Sequence, residues 1–93
     1  MTAAEITQAI GPLLEQLAEL GFRVTDSRYE PNSFGNFYVD CKGRKVAFRI
    51  VRDRSQYFLD GNVEDIKKRG VFRAYNSVTE FSAATLQYAK AVA

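Results

Sequence analysis

Between Phe22 and Asp60 apolar and polar residues alternate with a period of two, and the apolar ones are mostly β-branched or aromatic. That pattern ties the segment to strands, because successive side chains of a strand point to opposite faces of a sheet. Turn signals cut the run into pieces short enough to pair with one another, so the expected sheet is an antiparallel meander of three or four strands.

A register follows from the turns. With Lys42-Gly43 at a hairpin tip, Cys41 faces Arg44, Asp40 faces Lys45, Val39 faces Val46, Tyr38 faces Ala47 and Phe37 faces Phe48. A second hairpin centred on Arg54-Ser55 sets Arg52 against Tyr57, Val51 against Phe58, Ile50 against Leu59 and Arg49 against Asp60. Both registers put Phe37, Val39, Val46, Phe48, Ile50 and Leu59 on one buried face. They leave Tyr38, Ala47, Arg49, Val51 and Phe58 on the other, with Asp40, Lys45 and Asp60 beside them. A further strand starts at Phe22, with Phe22 and Val24 inward; strict phase would aim Asp26 at the core, so a bulge or an early end is expected there. Residues 30–35, Glu-Pro-Asn-Ser-Phe-Gly, form a loop.

Helices flank this sheet. Thr2 and Glu5 have the spacing of a capping box, and Ile6, Ile10, Leu13, Leu17 and Leu20 draw one apolar stripe that ends before Gly21. Residues 3–20 are therefore a helix in which Gly11-Pro12 forces a kink or a split into two short helices. Asn62 caps a short helix with Glu64 and Asp65 in its first turn and Lys67, Lys68 and Arg69 in its last, each sign favourable to the helix dipole. Ser77 and Glu80 form another capping box, opening a helix to about residue 91 with Val78, Phe81, Thr85, Tyr88 and Val92 on one side. The fold class is α+β: the sheet packed by the N-terminal and C-terminal helices, with a short helix after the sheet, in a single domain over residues 1–93.

The residue inventory narrows the chemistry. Histidine is absent, which removes the commonest general base and metal ligand, and with it every catalytic triad that needs an imidazole. Cys41 is the only cysteine and alternates with Phe37 and Val39, so it reads as core, and a reducing compartment is the simpler setting. Asp60, Glu64 and Asp65 crowd one segment, but helix-start electrostatics accounts for the latter two, and their spacing matches no calcium loop. With no glycine-rich phosphate loop either, neither an enzyme nor a cofactor or metal site is expected. The N-terminus lacks the features of a secretion signal, and no stretch approaches the roughly 20 apolar residues that span a bilayer, so a cytoplasmic protein with no membrane partner is expected.

The net charge of +2 is mild for a nucleic-acid binder. Its distribution is uneven: residues 22–60 hold eight Lys or Arg against five Asp or Glu. An RNA-binding sheet would expose aromatics for stacking and bases for phosphate, and Arg49, Arg52, Arg54 and the cluster Lys67 to Arg69 are the candidates for that alternative. Asp40 and Asp60 would repel phosphate, so the outward ridge suits a protein partner better. Tyr38, Arg49, Val51 and Phe58 on the ridge, with Arg52, Asp53, Arg54 and Gln56 at the hairpin tip, are the candidate partner-binding residues. The alternative is that helix two or three covers the ridge; if neither does, a homodimer through the face is the simplest use of it.

The stretches Gly-Phe-Arg-Val (21–24), Tyr-Glu-Pro-Asn-Ser-Phe-Gly-Asn-Phe-Tyr-Val-Asp (29–40) and Phe-Arg-Ile-Val-Arg-Asp-Arg-Ser-Gln-Tyr-Phe-Leu-Asp (48–60) resemble a group of small uncharacterised bacterial proteins. Some of these resemble immunity proteins encoded beside polymorphic toxins. The resemblance implies a bacterial, non-enzymatic protein that binds another macromolecule, with a toxin domain as the partner. It brings no catalytic motif.

Overall fold

The computed structural model describes residues 2–93. In chain order the elements are α1 (Ala4–Glu19), β1 (Arg23–Glu30), β2 (Asn36–Lys42), β3 (Ala47–Asp53), β4 (Gln56–Asp60), α2 (Val63–Lys68) and α3 (Val78–Val92). The four strands form one antiparallel meander in the order β1-β2-β3-β4. The architecture is the α+β arrangement expected from the alternation.

Pro12 lies inside α1, and the backbone leaves helical geometry at Ile10 (φ −133°, ψ 19°), so the helix is kinked rather than split. The helix is not capped by Thr2. Ala3 holds the cap position and its side chain has no oxygen to accept a hydrogen bond, which leaves Glu5 one residue short of the capping-box spacing. The C-terminus is built more firmly. Gly21 takes φ +94°, its N–H donates to the Ala18 carbonyl (3.0 Å), and the Phe22 N–H donates to Leu17 (2.9 Å). This is a Schellman stop closed by the buried pair Leu17 and Phe22. Gly70 ends α2 in the same way, with Val71 donating to Ile66.

Of the two hairpins, the second has the expected register, from Arg49 against Asp60 to Arg52 against Tyr57. The first does not. Val39 pairs with Ile50, Asp40 with Arg49 and Cys41 with Phe48, so the connection is a four-residue loop over 43–46, closed by the Gly43 N–H on the Val46 carbonyl (2.9 Å). Lys45 and Arg44 therefore sit in the loop and face neither Asp40 nor Cys41. The ring of Phe22 explains the wider turn: a β-carbon on Gly43 would lie 2.6 Å from it, so the aromatic fills the space under the loop. β1 carries the expected irregularity, a register shift between Val24 and Asp26. The strand then resumes through Glu30, which belongs to β1 rather than to the loop, and the extra residue returns Ser27 and Tyr29 to the inward side.

One core lies between the inward face and the helices. Val39, Ile50, Ile6 and Phe81 are wholly buried in it, and Ile66 of α2 belongs to the same cluster. Phe48 contacts both Phe22 (ring centroids 5.2 Å apart) and Tyr88 (5.9 Å), while Tyr57 stacks on Phe81 at 5.4 Å. The expected stripe of α3 is buried at Phe81, Thr85, Tyr88 and Val92, joined by Ala89, while Val78 in the first turn is exposed. Asn62 and Ser77 cap α2 and α3, accepting from Asp65 N–H (3.2 Å) and Glu80 N–H (3.3 Å).

Candidate functional site

All three helices contribute their buried residues to the core on the inward side, and no outward residue of β2, β3 or β4 belongs to that core. The outward face is consequently free of helix. Cross-strand pairing arranges it in rows: Arg28, Tyr38, Val51 and Phe58 form one, and Asp26, Asp40, Arg49 and Asp60 form the next. Tyr38, Val51 and Phe58 are only partly buried.

The charged row is internally wired. Arg49 grips Asp40 side-on, with Nε to Oδ1 at 2.7 Å and Nη2 to Oδ2 at 3.1 Å, and its guanidinium lies 4.0 Å from the centre of the Tyr38 ring. The hydrogen bond to Asp40 holds the Arg49 pKa above its ordinary value. The Tyr38 hydroxyl donates to Asp26 Oδ2 (3.1 Å), and that bond to a carboxylate raises the phenol's pKa. With Asp26, Asp40 and Asp60 around one committed arginine, this row has a negative balance.

The tip residues are tied into the structure beside the ridge. Arg52, on the inward row opposite Tyr57, donates from Nη1 to the carbonyl of Gly35 (2.8 Å) and buttresses the loop between β1 and β2. Asn36 bridges the two turns: its Nδ2 donates to Asp53 Oδ1 (3.1 Å) and its Oδ1 accepts from the Arg54 N–H (2.8 Å). Gln56 donates to Asn76 Oδ1 (2.9 Å). Arg52, Asp53 and Gln56 thus have structural work, and the Arg54 side chain extends over the Phe34 ring (6.0 Å).

Phe34 is a residue the sequence pattern did not single out. It is 76% exposed at φ +59°, an uncommon backbone state for a bulky side chain. The signal was present: an aromatic inside the Pro-Asn-Ser-Phe-Gly turn has no strand neighbour to pack on. Arg54 (φ +51°) and Ser55 (φ +68°) also hold positive φ, the signs of a type I′ turn without its usual asparagine and glycine.

The remaining candidates fare differently. Cys41 is 2% exposed, and desolvation, reinforced by Asp40, pushes its thiol up to about 12. A thiolate nucleophile has no support there. Asp60 accepts from the Gly61 N–H, Asp65 from Arg69, and no three His, Cys, Asp or Glu side chains among the described residues gather into a metal-binding group. Arg69 is engaged with Asp65 (3.2 Å) and Lys67 lies over Phe72 (5.2 Å). No helix among the described residues is long and apolar enough to cross a membrane. Compared with protein-family models, curated proteins and solved structures, the chain shows no match.

Proposed function

We propose that this chain is a non-enzymatic protein-binding module of the bacterial immunity type, acting in the cytoplasm. It takes its partner, a toxin domain on the resemblance above, against the outward sheet face. The observation that carries this reading is the row Tyr38, Val51 and Phe58, an apolar ridge with no helix of the chain packed on it. Apolar area at the centre of a charged rim is the composition of a protein interface. Phe34 and Arg54 extend the surface at the end of the strands, where an exposed aromatic and an arginine are the residue types that dominate binding energy.

The charge pattern favours protein over nucleic acid. Arg49 is neutralised by Asp40 at 2.7 Å, and Asp26 and Asp60 stand in the same row, where phosphate would meet repulsion. The complementary partner surface is apolar with a basic border. Lack of histidine and burial of Cys41 support a role without covalent chemistry.

The test is co-expression with the product of an adjacent toxin-like gene, using the wild type and the folded variant Val51→Glu/Phe58→Glu. The reading predicts a one-to-one complex with the wild type that survives gel filtration and is lost in the variant. Equal retention by both proteins, or binding by neither, overturns it.

A further inference from the structure

We propose that β1 pairs edge to edge with β1 of a second copy, antiparallel about a two-fold axis at Ser27, to make a continuous eight-stranded sheet. The inference is independent of the use of the sheet face, which such pairing leaves open.

The two edges of the sheet are treated differently. β4 is shielded by the segment after α2: Tyr57 N–H donates to the Tyr75 carbonyl (2.8 Å), Tyr75 N–H donates back (2.7 Å), and Gln56 bonds Asn76. β1 pairs only with β2, and nothing among the described residues pairs with its other side. An open edge is a template for another strand unless proline, repelling charges or a bulge that twists the edge away forbids it. β1 has no proline, its charges alternate in sign, and its bulge lies near the strand start at Val24 to Asp26, which leaves Asp26 to Glu30 in regular register.

The bulge makes that alternation usable. Because Val24 and Thr25 together occupy one step of the ladder, the outward side chains of β1 in order are Arg23, Asp26, Arg28 and Glu30, and the inward ones are Val24, Ser27 and Tyr29. Both orders are self-complementary when the strand is reversed about Ser27. Outward, Arg23 meets Glu30 of the second copy and Asp26 meets Arg28 of the second copy, so the symmetry produces four ion pairs. Inward, Val24 meets Tyr29 of the second copy and the small Ser27 meets itself at the axis. Val24 is 39% exposed in the single chain, and Arg28 and Glu30 make only a loose contact at 4.0 Å with 68% and 44% of their side chains exposed, so these groups are available. The Asp26 carboxylate accepts from Tyr38 and from the Ser27 N–H (2.9 Å); pairing at the axis exchanges the second bond for the Ser27 carbonyl of the second copy and frees that carboxylate oxygen for Arg28 of the second copy. One added strand pair is a small interface, which sets the expected affinity in the micromolar range.

The experiment is sedimentation equilibrium of the full chain at low salt, from about 10 to about 500 µM, a range suited to so small an interface. Wild type, Arg23→Glu, Glu30→Arg and an equimolar mixture of the two variants are compared, with circular dichroism confirming each fold. The wild type is expected to dimerise, and less so as salt rises. Each single reversal juxtaposes like charges twice and should weaken self-association about tenfold or more. Mixing the two restores opposite charges at both places, so a heterodimer of wild-type strength should form. A wild type that stays monomeric throughout overturns the proposal. So does a dimer indifferent to both reversals, a mixture that gains nothing over its components, or a dimer broken by Phe58→Glu alone.

Discussion

Cys41 shows how burial converts a reactive side chain into a structural one. Its thiol ionises at about 12 in the folded chain against an ordinary 9.0, because the surrounding core cannot solvate a thiolate and Asp40 adds repulsion. The unfolded chain releases this proton first, so it binds fewer protons than the native state between those two values, and stability falls as pH rises through that window. The expected slope is about 1.4 kcal/mol per pH unit. Urea titrations between pH 8 and pH 11 should show this alkaline loss in the wild type and a shallower one in Cys41→Ala, and the native thiol should resist a thiol reagent until the protein unfolds. Thr85 presents the opposite case. It is wholly buried in α3 and its hydroxyl has no hydrogen-bond partner in the protein, so Thr85→Val removes an unsatisfied polar atom while keeping shape and branching. That substitution should raise stability by about 1 kcal/mol, read as a higher denaturation midpoint with an unchanged slope.

Among the elements, the β3 to β4 turn carries the clearest local cost. Arg54 and Ser55 both hold positive φ, which glycine adopts freely and L-residues other than asparagine and aspartate adopt reluctantly. Arg54→Asn/Ser55→Gly should therefore stabilise the domain by about 0.5–1 kcal/mol, measured by thermal melting. If the tip contributes to binding, the same variant should hold the partner less well. This turn was legible in the sequence because centring it on Arg54-Ser55 matches apolar with apolar and Arg49 with Asp60 across the two strands. The β2 to β3 turn was misplaced, since Lys42-Gly43 looks like a tight tip and the ring that widens the loop at Gly43 comes from Phe22, far back in the chain. The face assignment survived the error. Val39 moved from Val46 to Ile50, a shift by an even number of residues, and period-two geometry keeps every side chain that remains in a strand on its side. Val46 and Lys45, expected on the inward and outward faces, lie in the loop instead, with Val46 only partly buried. The cap at Thr2 was misread for a simpler reason: helix starts drift by a residue, and one residue is enough to separate an oxygen from the amide it would cap.

At the scale of the whole molecule, the sequence located the ridge but not its exposure. Whether α2 or α3 lay over Val51 and Phe58 depended on how the chain returns after β4, and short amphipathic helices do not encode that. The structure places Ile66, Val71 and Tyr88 in the one core, which leaves the ridge without a helix over it. The bland explanation for Tyr38, Val51 and Phe58, that they are half of a second buried layer, is thereby removed. The remaining account is a two-faced sheet: one face stabilises the fold and the other, with Phe34 beside it, is available to a partner. Two neighbours in β4 separate these roles. Leu59 is 1% exposed beneath the sheet while Phe58 lies on the far side, opposite Val51. The most direct test is the unfolding free energy of Phe58→Ala and Leu59→Ala by urea titration. The account predicts a cost of about 1 kcal/mol or less for Phe58→Ala. It predicts about 2–5 kcal/mol for Leu59→Ala. Equal costs, or a larger cost at Phe58, would contradict it.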